Sequence, residues 1–502
     1  QNNVEAATAA GTVGTDDATV TFTNNYSVSS VTTDDLEIDL DGTKTITGRD
    51  FQTGDTFTFT IAAARATQNA PLPQEDIDND GSATTATITP DTGTSATFEF
   101  GDITFNAPGE YRYIITEVDP NNDGDEQTTG LGGVDYDSAI YRINIVVVDN
   151  GDGTLRLATT DEIASMTTQG NLTYTSNPMI QEYVNGAMVA AEDGVLFENV
   201  YSTDSATASI QGTKVLDVEN SDYTLQDGDF LFTIEALGSN TDGGDTFTTD
   251  ADQPMPVGTD GNQVTQVSNI ANGNVTFSFA QGAFTQSMIG KTFGYKITES
   301  AGDVMSNVQF DASAERIVKI AVTDDGAGHV VATVTPNDTQ QGQQNNFIFT
   351  NSYEPTTVTI GDQTNAGIAV QKTFTGHEWS DAYNFDFKIT ASSNTAGIEV
   401  NAMPMPRDTE ITIGNPESGT INTAAFGEMT FEKAGTYTYT ITETKGTNNG
   451  ITYDGHTATV TVTVTENTET GALSAQVSYD NSKALNDGDK TVDNAAAFTN
   501  TY

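Results

Sequence analysis

One lysine, one glutamate and one asparagine recur in the same order three times in this 502-residue chain, each on a strand face otherwise given to apolar side chains. Alternate side chains of an extended strand share a face. By that rule Tyr111, Tyr113, Ile115 and Glu117 point one way, as do Phe293, Tyr295, Ile297, Glu299 and Tyr437, Tyr439, Ile441, Glu443. The lysines follow the same pattern in Ile38, Leu40, Lys44, Ile46, in Ala208, Ile210, Lys214, Leu216 and in Ile368, Val370, Lys372, Phe374, with a glycine intervening in the first two sets. The asparagines stand in Phe197, Asn199, Tyr201, in Phe349, Asn351, Tyr353 and in Phe498, Asn500, Tyr502. Burial disfavours both charged forms, lowering the pKa of a lysine and raising that of a glutamate. A neutral amine is a nucleophile, and a neutral Glu donating to the Asn carboxamide oxygen would make its carbon electrophilic and pass a proton to the departing amine. Attack, collapse and loss of ammonia would leave a Lys-to-Asn isopeptide bond, made once per domain with no external enzyme. The same residue types also fit a buried ion pair beside an Asn bonded to backbone. Such a pair adds little net stability, so its recurrence in three units with divergent loops asks for a reason beyond packing.

The elements that must position these groups are strands. Thr/Val/Ile/Phe/Tyr alternation recurs in Thr56 to Ile61, Tyr141 to Val148, Ile317 to Val322 and Thr457 to Thr465, divided by turns such as Asn150-Gly151-Asp152-Gly153. Helical periodicity is scarce, Thr160 to Met166 being the best short candidate. Short strands at regular spacing predict an all-β chain, a tandem array of immunoglobulin-like β-sandwiches. The repeats fix the count: the Lys-to-Glu intervals are 73, 85 and 71 residues, the Glu-to-Asn intervals 82, 52 and 57, and Pro71-Leu72-Pro73, Pro254-Met255-Pro256 and Pro404-Met405-Pro406 fall between Lys and Glu each time. The expected division is a terminal strand of a preceding repeat at 1–26, then repeats at 27–203, 204–354 and 355–502. The strand at 1–26 carries Phe22, Asn24 and Tyr26 without a Lys or Glu of its own, so the chain reads as a piece of a longer array or as a donor of that strand to another molecule.

With 71 acidic against 18 basic residues the net charge is −53, and no basic stripe exists to displace counterions from nucleic acid or an anionic membrane. Neither is expected as a partner. The absence of cysteine excludes disulfides, zinc thiolates and cysteine nucleophiles. Three histidines, His329, His377 and His456, fall at unrelated positions, and Trp379 beside His377 and Glu378 reads as a loop or strand edge, so an enzyme acting on an external substrate is not expected.

Taken together, K-x-[FIL], P-[LM]-P, Y-x-Y-x-I-T-E and the terminal F-T-N-x-Y resemble the isopeptide-forming domains of streptococcal T-antigen major pilins and related Gram-positive surface proteins. The resemblance spans residues 31 to 502 as three copies. It implies CnaB-like sandwiches in which Lys44 joins Asn199 with Glu117 as catalyst, Lys214 joins Asn351 with Glu299, and Lys372 joins Asn500 with Glu443. The first copy departs from the pattern in reading Phe197-Glu198-Asn199, with the longest Glu-to-Asn interval.

The expected function is a structural stalk or pilus-like shaft segment outside the cell on a bacterial surface, its partners neighbouring repeats or subunits of a longer fibre, with any host ligand met by a tip elsewhere. One alternative is a ligand-binding adhesin, for which the variable loop Leu155 to Glu192 is the place to look. Another is a calcium-rigidified extender array. No cofactor is expected beyond a candidate calcium ion, for which Asp76, Asp78, Asp80 and Asp119, Asn121, Asp123 copy the first half of an EF-hand loop, without the bidentate Glu at position 12.

Overall fold

The computed structural model describes residues 25–64, 70–74, 83–121, 130–166, 173–304, 306–336 and 346–502. Two compact units divide the chain, one of Gln1–Ala206 with Phe284–Ile289 and Thr323–Val331, the other of Thr207–Ala283, Gly290–Val322 and Ala332–Tyr502. The regular structure of the described residues is strand, apart from the Thr160–Ser165 helix and four 3-10 turns, as the alternation requires.

Each repeat pairs two sheets face to face. In the first, a sheet built on Phe57–Ala63, Gly109–Glu117 and Ile140–Asp149 packs on one holding Asp41–Thr47 and Leu196–Tyr201. Phe59 of one sheet stacks on Phe98 of the other with ring centroids 3.7 Å apart. The second repeat sets Phe230–Asn240, Thr292–Ala301 and Glu315–Asp324 against Ser209–Val218 and Asn346–Tyr353. In the third, Phe385–Asn394, Gly435–Thr444 and Thr457–Asn467 face Ala369–Thr375 and Ala496–Thr501. Phe387 and Phe498 meet across that core at 5.2 Å.

The first and last long strands of each repeat lie side by side and run parallel, in a register that sets Lys44 opposite Phe197, Lys214 opposite Phe349 and Lys372 opposite Phe498. The Asn stands two residues further along the same face, a diagonal neighbour within reach of a long side chain. Glycine on the Lys strand makes room for a phenylalanine of a neighbouring strand in two repeats, Phe98 across from Gly42 and Phe347 across from Gly212. A Cβ at Gly42 would lie 2.3 Å from the Phe98 ring, and one at Gly212 2.2 Å from Phe347.

Leu155 to Glu192 is not a plain loop. It holds the Leu155–Leu157 strand, the Thr160–Ser165 helix with Thr159 and Glu162 forming a capping box, and a hairpin of Met179–Val184 and Ala187–Ala190 that extends the larger sheet. These elements have their own apolar cluster of Val146, Ala158, Ile163, Tyr174 and Met179. That insertion accounts for the long Glu-to-Asn interval of the first repeat.

Candidate functional site

The structure brings all nine residues together as three groups. Lys44 and Asn199 are fully buried, as are Lys372 and Asn500, while Lys214 and Asn351 are 2% and 1% exposed. Glu117, Glu299 and Glu443 reach them from the middle strand of the facing sheet. The lysine Nζ lies 3.1 Å from Glu117, 3.0 Å from Glu299 and 2.8 Å from Glu443. A phenylalanine ring walls off each amine, with Lys44 Nζ 5.3 Å from the Phe57 centroid, Lys214 4.4 Å from Phe230 and Lys372 4.7 Å from Phe385.

Burial sets the electrostatics. It pulls all three lysines below their ordinary pKa, to about 8 for Lys372, against the opposing pull of the paired carboxylate. It pushes Glu117, Glu299 and Glu443 up, again against the partner charge. Both shifts favour the neutral pair.

In the first and third repeats one carboxylate touches both nitrogens. Glu443 Oε2 takes Lys372 Nζ at 2.8 Å, and Oε1 accepts from Asn500 Nδ2 at 2.6 Å. Glu117 does the same with Lys44 at 3.1 Å and Asn199 at 3.0 Å. In the second repeat the ion pair is kept, but among the described residues Asn351 Nδ2 finds no hydrogen-bond partner. The expectation that Glu donates to the Asn oxygen is therefore corrected. A backbone N–H already occupies that oxygen, that of Asp137 on Asn199 at 2.8 Å, of Asp311 on Asn351 at 2.8 Å and of Asp454 on Asn500 at 2.7 Å. The amide nitrogen is left to face the carboxylate.

These aspartates escaped the sequence reading. Each also uses its carboxylate to accept the N–H of the residue before the Asn, Glu198 at 2.7 Å, Thr350 at 2.9 Å and Thr499 at 2.9 Å. A signal was available: Tyr136-Asp137, Phe310-Asp311 and Tyr453-Asp454 each follow the Glu strand and precede the next long strand. His456 stands beside the third of these aspartates. Its Nδ1 lies 2.6 Å from Asp454 Oδ1 and its ring stacks on Phe498 at 4.4 Å. The proline landmark is explained too, since the Pro71, Pro254 and Pro404 carbonyls accept the hydroxyls of Tyr113, Tyr295 and Tyr439 from the Glu strand at 2.8, 2.7 and 2.7 Å.

Of the candidate calcium ligands, Asp76, Asp78, Asp80 and Asp123 lie outside the described residues. Asp119 accepts the Asn121 N–H at 2.9 Å, and Asn121 Oδ1 accepts that of Gly130 at 3.0 Å, both ordinary turn contacts. Trp379 is a core plug, buried against Phe374 and Phe385 with its indole N–H on Tyr383 O at 2.7 Å.

A sandwich that seals a Lys, a Glu and an Asn between parallel first and last strands has the build of an isopeptide domain. The chain belongs to the FctA family of Spy0128-like isopeptide-containing domains, whose profile matches residues 40–202, 210–354 and 368–502. It is similar to the major pilin of Streptococcus pyogenes, at 17% identity over 59% of this chain and 99% of that one, with a TM-score of 0.24. Two B repeat units of the Staphylococcus aureus collagen-binding protein align at 12% identity over 92% and 75% of the two chains, TM-score 0.19. The pilus adhesin SpaC of Lactobacillus rhamnosus GG aligns at 13% over 94% and 44%, TM-score 0.18. No curated protein sequence matches.

Proposed function

We propose that the chain is a load-bearing segment of a stalk or pilus-like shaft on a Gram-positive cell surface, and that each repeat closes itself with a Lys–Asn isopeptide bond. The observation that carries this is the repeated placement of a buried Lys, Glu and Asn across a parallel pair of terminal strands. Lysine Nζ attacks Asn Cγ while the backbone N–H of the clamping aspartate holds the developing oxyanion. Glu takes a proton from the attacking nitrogen on one oxygen and returns it to the leaving nitrogen from the other. The Nζ–Cγ bond forms, the Cγ–Nδ2 bond breaks and ammonia departs. The chain turns over once per repeat and is not otherwise an enzyme. Intact mass tests this directly. The chain should weigh three ammonia less than its sequence, and digestion should yield branched peptides joining Lys44 to Asn199, Lys214 to Asn351 and Lys372 to Asn500. An unshifted mass would end the proposal.

The pH dependence of closure follows from the shifted pair. Ion pair and neutral pair hold the same number of protons, so the rate should be flat between the raised Glu pKa and the lowered Lys pKa, about 8 for Lys372. On the acid side an extra proton leaves an ammonium and no base. On the alkaline side the amine is free, but no proton is at hand for the leaving group. Chain solubilised from aggregates and refolded at a series of pH values, with ammonia loss followed by mass, should give a bell-shaped rate. A rate for the third repeat that keeps rising with pH above 8 would show that Glu443 is not the proton carrier.

A further inference from the structure

In three of the four F-[TE]-N-x-Y copies the closing tyrosine makes the same pair of contacts. Tyr26 Oη donates to Asp149 Oδ2 at 2.7 Å, and three residues on, the Ser29 N–H donates to Gly153 O at 2.8 Å. Tyr201 Oη donates to Asp324 at 2.7 Å, and the Asp204 N–H to Gly328 O at 2.9 Å. Tyr353 Oη donates to Glu466 Oε1 at 2.5 Å, and the Thr356 N–H to Gly471 O at 2.9 Å. In each case the acid and the glycine sit at the turn of the hairpin that follows the next repeat's third long strand. The glycine comes four residues after Asp149 and Asp324 and five after Glu466.

All three glycines have left-handed backbone, φ 85, 89 and 65°. A Cβ at Gly471 would stand 2.8 Å from the Tyr353 hydroxyl. Burial and the Asp324 carboxylate lift the Tyr201 hydroxyl to about 12, as befits a phenol donating to an acid. At the third such contact Ser221 Oγ also donates to Glu466, at 2.7 Å, so both carboxylate oxygens are used.

We propose that this tyrosine is a docking key and that its partner is the acid-and-glycine hairpin of another repeat of the same kind. The hydroxyl reads the carboxylate, and the N–H three residues later reads the glycine carbonyl. Two fixed points set the angle at which the third repeat follows the second. This device is independent of the isopeptide bond, because it needs only the neutral phenol and the hairpin. Tyr502 holds the equivalent position in the third repeat, is 49% exposed and stacks on His377 at 4.6 Å.

The test is native-state hydrogen exchange on the full chain with Tyr353→Phe, Glu466→Ala and Gly471→Ala, alongside the distance distribution between dyes on the second and third repeats. Each variant should speed exchange at the Thr356 N–H about tenfold, the cost of losing a bond to a charged acceptor, and broaden the dye distances. Strands of both sandwiches should keep their protection, which separates a loosened joint from a failed fold. Tyr502→Phe should leave Thr356 unchanged. If Tyr353→Phe and Glu466→Ala both leave Thr356 exchange and the dye distances as they were, the contact is incidental and the proposal fails.

Discussion

Pulled from its two ends, the wild-type chain should show no unfolding step from any closed repeat at forces that unravel ordinary sandwiches. Lys and Asn stand 155, 137 and 128 residues apart in the three repeats. At roughly 3.4 Å per extended residue, about 430 to 530 Å of chain per repeat lies behind the bond and out of the load. Force would enter along the Lys strand, cross at the isopeptide and leave along the Asn strand. Lys372→Ala should restore one extension of about 430 Å and leave the other two repeats silent. Three such extensions in the wild-type chain would contradict the shaft reading.

Glu443→Gln should leave the third repeat folded and unlinked. The amide keeps the shape and an acceptor oxygen for Lys372 but carries no titrating proton, so the mass deficit should fall from three ammonia to two. Closing a loop of 128 residues is worth about 5 kcal/mol by the chain-entropy estimate. For a repeat of this size that corresponds to a melting transition about 10–20 °C lower. Differential scanning calorimetry should therefore resolve one early transition in the variant. A single unchanged endotherm with three ammonia still lost would remove Glu443 from the mechanism.

What could be read from the chain and what could not divide along a physical line. Lys372, Glu443 and Asn500 were legible because a charged or amide side chain on an apolar parity stands out in one strand. The all-β architecture was legible for the same reason. Asp454 was not, because its decisive group is a backbone N–H, which every residue but proline has, and only the crossing of its loop over the Asn strand gives it a role. The segment from Leu155 to Glu192 read as loop because its strands are short and its cluster draws on Val146, outside the segment. The tyrosines were seen as repeat markers, but their acids lie 123, 123 and 113 residues away, beyond what local pattern can pair. Thr160–Ser165 was found because its cap and its apolar residue are all local.

The parallel pairing of first and last strands also governs timing. Synthesis delivers the lysine of a repeat first and its asparagine last, so the two cannot meet until every intervening strand exists. Contacts of such long sequence separation form late, after the sheet between them has been laid down. The clamping N–H, the phenylalanine wall and the shifted acid and amine are all products of a finished core. Under the proposed closure a misregistered or half-made repeat, offering the lysine charged and the asparagine in water, would stay open. By the same proposal the irreversible step would act as an inspection stamp, applied only to a repeat that has already folded correctly and leaving every defective copy open to proteases.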